Sequence, residues 1–178
     1  MDPSQIVNIV VFIILICLSS FFSCTETAFL SANKIRMRNL AEEGDRRAKK
    51  VEKLLSNTDR LYSSILVGNN LVNIGASSLT TSIVISIFGN SASLVAAASG
   101  VVTLLILVFG EITPKTFATK NADRIALFMS GFVSFICFIF TPVVFLLNII
   151  TGFIIKLLGG NKDNGPTMTE EDHKTIVT

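Results

Sequence analysis

Charge is scarce in this chain: 16% of its 178 residues are Asp, Glu, Lys or Arg, while 50% are apolar. Cysteine is scarcer, with three residues, and histidine occurs once. Each shortage excludes something. Three cysteines cannot build the framework of a disulfide-rich secreted module. Cys17, Cys24 and Cys137 lie in or beside apolar blocks without metal-ligand spacing, and read as small buried thiols. The one histidine, His173, is near the C-terminus, so no Ser–His pair is available, and no aspartates pair within the apolar blocks. An intramembrane enzyme is therefore not expected. The opening Met-Asp-Pro-Ser-Gln has no basic stretch and no small-residue cleavage site follows it, so the first apolar block reads as a retained span. Nor is there the basic face of a nucleic-acid binder.

What the chain does have is apolar residues in blocks, over 6–18, 94–109 and 125–140, and a mean hydropathy of +0.64. This is the pattern of a polytopic membrane protein, not of a disordered or soluble chain. The sparse charge is uneven: residues 34–60 carry nine Lys/Arg against five Asp/Glu. By the positive-inside rule this segment is a basic cytoplasmic connector, which places the N-terminus outside. Val51, Leu54 and Leu55 recur at helical spacing, and Gly44 divides the connector into two short helices suited to an anionic inner surface.

The expected fold is thus an all-α membrane protein, multi-pass in the plasma membrane. Three transmembrane helices occupy residues about 7–32, 61–88 and 92–117, with a turn at Gly89-Asn90. Ala92, Ala96 and Gly100 form a ridge of small residues on the third span, where another helix can approach closely. Residues 125–158 are too long for one straight span, at about 51 Å against a hydrocarbon core of about 30 Å. Thr141-Pro142 divides them into halves slightly short for a span. A single fourth span would leave the C-terminus outside; a broken pair of short helices on the inner side, mildly favoured by charge and expected here, would keep it cytoplasmic. In the tail, 161–178, Thr169 and Asp172 have capping-box spacing. A helix is expected to start there and lead to a regulatory domain beyond the chain, leaving 1–160 as the membrane domain.

Ionisable residues inside spans are costly and mark function by default. Glu111 and Glu26 qualify. Pro114 lacks the N–H that would bond the Gly110 carbonyl, four residues earlier, so a freed carbonyl adjoins a carboxylate. The plain alternative is a kinked helix with Glu111 paired to Lys115. On the first span Ser20, Ser23 and Thr27 fall at i, i+3 and i+7, within about 60° of arc. On the second, Asn69 and Asn73 share a face at i, i+4. Ser23 lies 11 residues above Lys34, Asn69 and Asn73 lie 9 and 13 beyond Arg60, and Glu111 lies 9 before Lys120. At about 1.5 Å per residue all stand roughly 14–20 Å up, near the bilayer centre. Ser20, Ser23, Asn73, the Gly110 carbonyl and Glu111 would supply five or six oxygens to a hard cation such as Mg²⁺, Ca²⁺, Na⁺ or K⁺. Asn69, Pro114 and Glu26 support that set.

The same residues carry a family resemblance. Phe21-Phe22-Ser23-Cys24-Thr25-Glu26-Thr27-Ala28, Gly68-Asn69 through Asn73, and Gly110-Glu111-Ile112-Thr113-Pro114-Lys115 resemble the transmembrane domain of the CNNM and CorB/CorC magnesium transporters, over residues 5–160. The resemblance implies a homodimer with three spans and an inner-side helix pair in each protomer. It further implies a Mg²⁺ site on Ser20, Ser23, Asn73, Gly110 and Glu111, reached from the cytoplasm, and Mg²⁺ efflux by alternating access, with Na⁺ as a proposed coupling ion. Mg-ATP would bind only in a CBS-pair domain that normally follows. Cys24-Thr25 departs from the Gly-Ser of many relatives. The rival expectation is a Mg²⁺-sensing membrane scaffold that regulates another channel or transporter.

Overall fold

The structure, a computed structural model, describes residues 3–89 and 91–158, and every element among them is helical. Helix α1 spans Pro3–Ser31, α2 Lys34–Glu42, α3 Arg46–Leu55, α4 Thr58–Phe88, α5 Ala92–Ile106, α6 Thr113–Lys120 and α7 Ala122–Leu157. A π-helical turn, Leu107–Ile112, joins α5 to α6. The tail 161–178 and Asn90 of the expected turn lie outside the described residues.

Side-chain caps set the connector. The Asn33 side chain accepts from the Arg36 N–H at the start of α2, and Asp45 accepts from the N–H groups of Arg47 and Ala48 at the start of α3. Between them Gly44 takes φ 101°, a left-handed conformation that a side chain would strain. Asn57 caps α4 in the same way through the Arg60 N–H. That cap draws Thr58, Asp59 and Arg60 into the helix, so α4 starts three residues before the apolar block at Leu61.

Four helices are long and apolar enough to cross a membrane: Pro3–Ser31, Thr58–Ile87, Ala92–Lys120 and Ala122–Leu157. Large apolar side chains cover their outer faces, among them Ile13, Leu66, Ile74, Leu104 and Phe109. This is a multi-span membrane protein. In lipid such surfaces supply no hydrophobic drive between helices, so the interior is held by close packing. Phe22 and Phe29 of α1 pack with Leu61, Ile65 and Val72 of α4, and Met37 of α2 and Val51 of α3 close the basic end of the same cluster. Gly68 permits the approach: a Cβ there would stand 2.5 Å from the Phe22 ring.

The expected break at Thr141-Pro142 does not divide the helix. α7 runs through Pro142 as one 36-residue helix. Polar bonds brace the turn on its N-terminal side. Thr141 Oγ1 donates to the Cys137 carbonyl at 2.6 Å, and Arg60 Nη2 donates to Thr141 Oγ1 at 2.6 Å and to the Cys137 carbonyl at 3.4 Å. The carbonyl that Pro142 leaves without a helical donor is that of Phe138, four residues back; the Arg60 and Thr141 bonds brace the turn beside it and tie α7 to α4. The chain divides at this point into two compact units, Met1–Thr141 and Pro142–Thr178. The first holds the core just described. In the described part of the second, Phe145, Phe153 and Leu157 are exposed apolar side chains.

Candidate cation site

Three spans bring polar groups together. On α1, Ser19 and Ser23 sit one turn apart and are fully buried. On α4, Asn69 is buried and Asn73 half-buried, again one turn apart. On the third span the π-helical turn holds Gly110, buried, and Glu111, half-buried.

A hydrogen-bonded chain crosses these helices. Ser19 Oγ donates to Asn73 Oδ1 at 2.8 Å, and Asn73 Nδ2 donates to Glu111 Oε1 at 3.1 Å. The polarity follows from chemistry. An ionised carboxylate only accepts, so Asn73 must turn its NH₂ to Glu111, and its carbonyl then faces the Ser19 hydroxyl. Gly110 makes room for this: a Cβ there would lie 3.2 Å from Ser19 Oγ.

The π turn adds acceptors. The α-helical donors for the carbonyls of Phe109 and Gly110 would be residues 113 and 114. Thr113 spends its N–H on the Val108 carbonyl, five residues back, and Pro114 has none. Two adjacent backbone oxygens, not one, are therefore left without their α-helical partner. Ser23 Oγ and Asn69 Oδ1 are buried without a hydrogen-bond partner. Each such group costs about 1–3 kcal/mol unless something satisfies it, and an oxygen-seeking cation would.

Asn73 and Glu111 thus meet Ser19 in one network, and Gly110 lies against Ser19 without a bond in it. Ser23 and Asn69 are buried on the helices that form it, and Pro114 is buried just beyond. Ser20 is half-buried and joins none of these bonds; its neighbour Ser19 does. Ser19 is the residue that sequence reasoning missed, and its i, i+4 spacing to Ser23 was the available signal. Lys115 does not pair with Glu111. Its Nζ lies 3.3 Å from Glu26 Oε2 on α1, so Lys115 and Glu26 form an ion pair and Glu111 is left to the network. Thr25 is turned to its own helix, donating to the Phe21 carbonyl at 2.8 Å. Among the described residues no cluster of three or more His, Cys, Asp or Glu occurs, so the donors gathered here are neutral oxygens around one carboxylate. Such a set suits a hard cation.

Comparison with known proteins agrees with the reading of these motifs. The family model for the cyclin M transmembrane N-terminal domain, CNNM, matches residues 10–178. A UPF0053 protein of Haemophilus influenzae is 41% identical over 95% of this chain and 40% of its own length. The UPF0053 inner membrane protein YfjD of Escherichia coli is 40% identical over 90% of this chain and 37% of its own. A chloroplastic DUF21 domain-containing protein of Arabidopsis thaliana is 34% identical over 92% of this chain and 25% of its own. The chain spans 40% or less of the length of these relatives. It belongs to the CNNM transmembrane domain family.

Proposed function

We propose that this membrane domain carries Mg²⁺ across the bilayer, working as a homodimer by alternating access. The observation that carries the reading is the Ser19–Asn73–Glu111 chain across three spans, set against two carbonyls without their α-helical donors. Mg²⁺ dehydrates reluctantly and asks for six oxygens in tight geometry. Ser23, the Gly110 carbonyl, the Asn73 carbonyl oxygen and Glu111 are the first-choice ligands. Ser20 can join them only by a turn of α1, and Ser19 orients Asn73. Asn69 and Pro114 support the site, and Glu26 acts through its ion pair with Lys115. A single carboxylate leaves a divalent ion incompletely neutralised, which suits an ion that is bound and then released. Efflux, with Na⁺ as a coupling ion, fits an inner side marked by the basic connector, with the N-terminus outside and the C-terminus in the cytoplasm of a plasma-membrane protein. The exposed ridge Ala92, Ala96, Gly100 is open to a second copy. Regulation by Mg-ATP would belong to a part of the full-length protein beyond this chain.

Isothermal titration of Mg²⁺, Ca²⁺, Mn²⁺ and Na⁺ against wild type, Glu111→Ala and Asn73→Ala tests the site, and flux into liposomes tests transport. Loss of an orienting group costs a metal site about 10–100-fold in affinity, and loss of the charged ligand more. Glu111→Ala is therefore expected to weaken Mg²⁺ beyond about a hundredfold, with Asn73→Ala close behind and both variants still folded. Wild-type flux in either variant would remove the site. Mg²⁺ binding without flux from the pure protein would make the domain a Mg²⁺-sensing scaffold.

A further inference from the structure

A cavity of about 670 Å³ lies at the basic end of the molecule, lined by Arg36, Arg47, Lys120 and Arg124 together with Asp123. Its charges are not balanced. Asp123 is committed: it accepts from Arg36 Nη1 at 3.1 Å and from the Asn33 backbone N–H at 2.9 Å. Among the described residues Arg47, Lys120 and Arg124 make no ion pair and no side-chain hydrogen bond. Three cations therefore face one space whose single anion, Asp123, is paired with Arg36. Arginine forks and a lysine ammonium at one locus are the chemistry that recognises a phosphate.

Position decides which phosphate. Ser31 ends the first span, Lys120 ends the third, Ala122 begins the last, and all of these line the cavity. The opening is therefore level with the ends of three membrane-spanning helices. Phe128, 74% exposed, stands at its lip. From it Phe132, Phe135 and Ile139 continue along α7 at i+4, i+7 and i+11, all exposed and on one face. A free phosphate has no use for an apolar lane leading away from its site. A lipid has: its acyl chains would lie along these side chains while the headgroup filled the cavity.

We infer that this cavity is a headgroup site for an anionic phospholipid, with Arg47, Lys120 and Arg124 holding the phosphate and the α7 stripe receiving the acyl chains. The site is separate from the polar network at Glu111 and does not depend on the ion carried.

Native mass spectrometry of the full chain released from detergent tests it, using phosphatidylglycerol and phosphatidylcholine of the same acyl composition, each with and without inorganic phosphate. The wild type should retain phosphatidylglycerol in preference to phosphatidylcholine, and inorganic phosphate should not displace it. The triple variant Arg47→Gln/Lys120→Gln/Arg124→Gln should lose the preference by about fivefold for each charge removed. Arg38→Gln/Arg46→Gln/Lys49→Gln, an equal charge change outside the cavity, should keep it. Equal retention of the two lipids by wild type would overturn the assignment. So would equal losses in the two triple variants, which would mean general surface charge. Displacement by inorganic phosphate would make the occupant a free anion and end the lipid reading. Should the first triple variant fail to fold, the wild-type preference and the phosphate competition still decide.

Discussion

The third span carries two ladders of small residues with the same four-residue spacing and opposite fates. Ala92, Ala96 and Gly100 in its first half are all exposed, and α5 buries no residue at all. Gly110, Pro114 and Ala118 in its second half are all buried. The difference is what stands opposite. Ala118 meets Ala28 of α1 in one cluster with Ile125, and Gly110 meets Ser19. Small on small lets backbones approach, and in lipid that approach is what holds helices together. The spacing of a ladder therefore says only that a helix can come close. The partner decides whether one does.

The most severe challenge to this contrast is one methyl group added to the buried ladder. Gly110→Ala would place a Cβ 3.2 Å from Ser19 Oγ and 3.6 Å from Ile106 Cγ2. At an open helical position the same change is worth about 0.5–1 kcal/mol of stabilisation. Here overpacking should reverse the sign, for a loss of about 1–3 kcal/mol in chemical unfolding in micelles. Because Ser19 must move, the Ser19–Asn73 bond should also be lost, and Mg²⁺ affinity with it. A more stable Gly110→Ala protein would mean that α1 and the π turn are not in close contact.

Why the second ladder found its partner was only half legible in the sequence. Gly110, Glu111 and Pro114 announce themselves, since a carboxylate and a proline beside a glycine within an apolar span have few structural uses. Depth along the spans brings Asn73 to the same level. What depth cannot give is rotation. Ser19 and Ser20 differ by about 100° about the helix axis. Which of them faces inward is set by Phe22 packing against Gly68 on α4, a contact between distant segments. The π turn was hidden for a similar reason: the composition of Leu107–Ile112 reads as ordinary helix, and the extra residue shows only in the Thr113 to Val108 hydrogen bond. At Thr141-Pro142 the sequence names a breaker, but Arg60, which bonds Thr141 in the adjoining turn, lies 81 positions away.

A smaller effect probes the same contrast from the α1 side. The Lys115–Glu26 pair ties the buried half of the third span to α1, and α5 has no such tie among the described residues. The side chains are 43% and 27% exposed, so solvent screens the pair and its coupling should be about 1 kcal/mol or less. A double-mutant cycle of Lys115→Gln and Glu26→Gln, followed by unfolding, measures it. Mg²⁺ binding should survive in Glu26→Gln, because Glu26 is assigned to the ion pair and not to the ion. A Mg²⁺ affinity that fell as far as in Glu111→Ala would move Glu26 into the coordination shell.

The smallest effect on the fold should come from the bare ladder, and it is the cleanest control. A Cβ at Gly100 would meet nothing within 4 Å, so Gly100→Leu has no neighbour in its own chain to displace. Its unfolding free energy should not fall, since replacing an open helical glycine is worth about 0.5–1 kcal/mol of stabilisation, where Gly110→Ala loses about 1–3 kcal/mol. The same substitution has a second readout that the buried ladder does not offer. If the ridge Ala92, Ala96, Gly100 seats a second copy, the added isobutyl group would hold the helices apart, and sedimentation in micelles should show weaker dimerisation with the monomer intact. Unchanged dimerisation would put the protomer contact on another face. A destabilised monomer would be the more serious result: the ladder face of α5 would then be packed within its own chain, and the two ladders would differ in degree, not in kind.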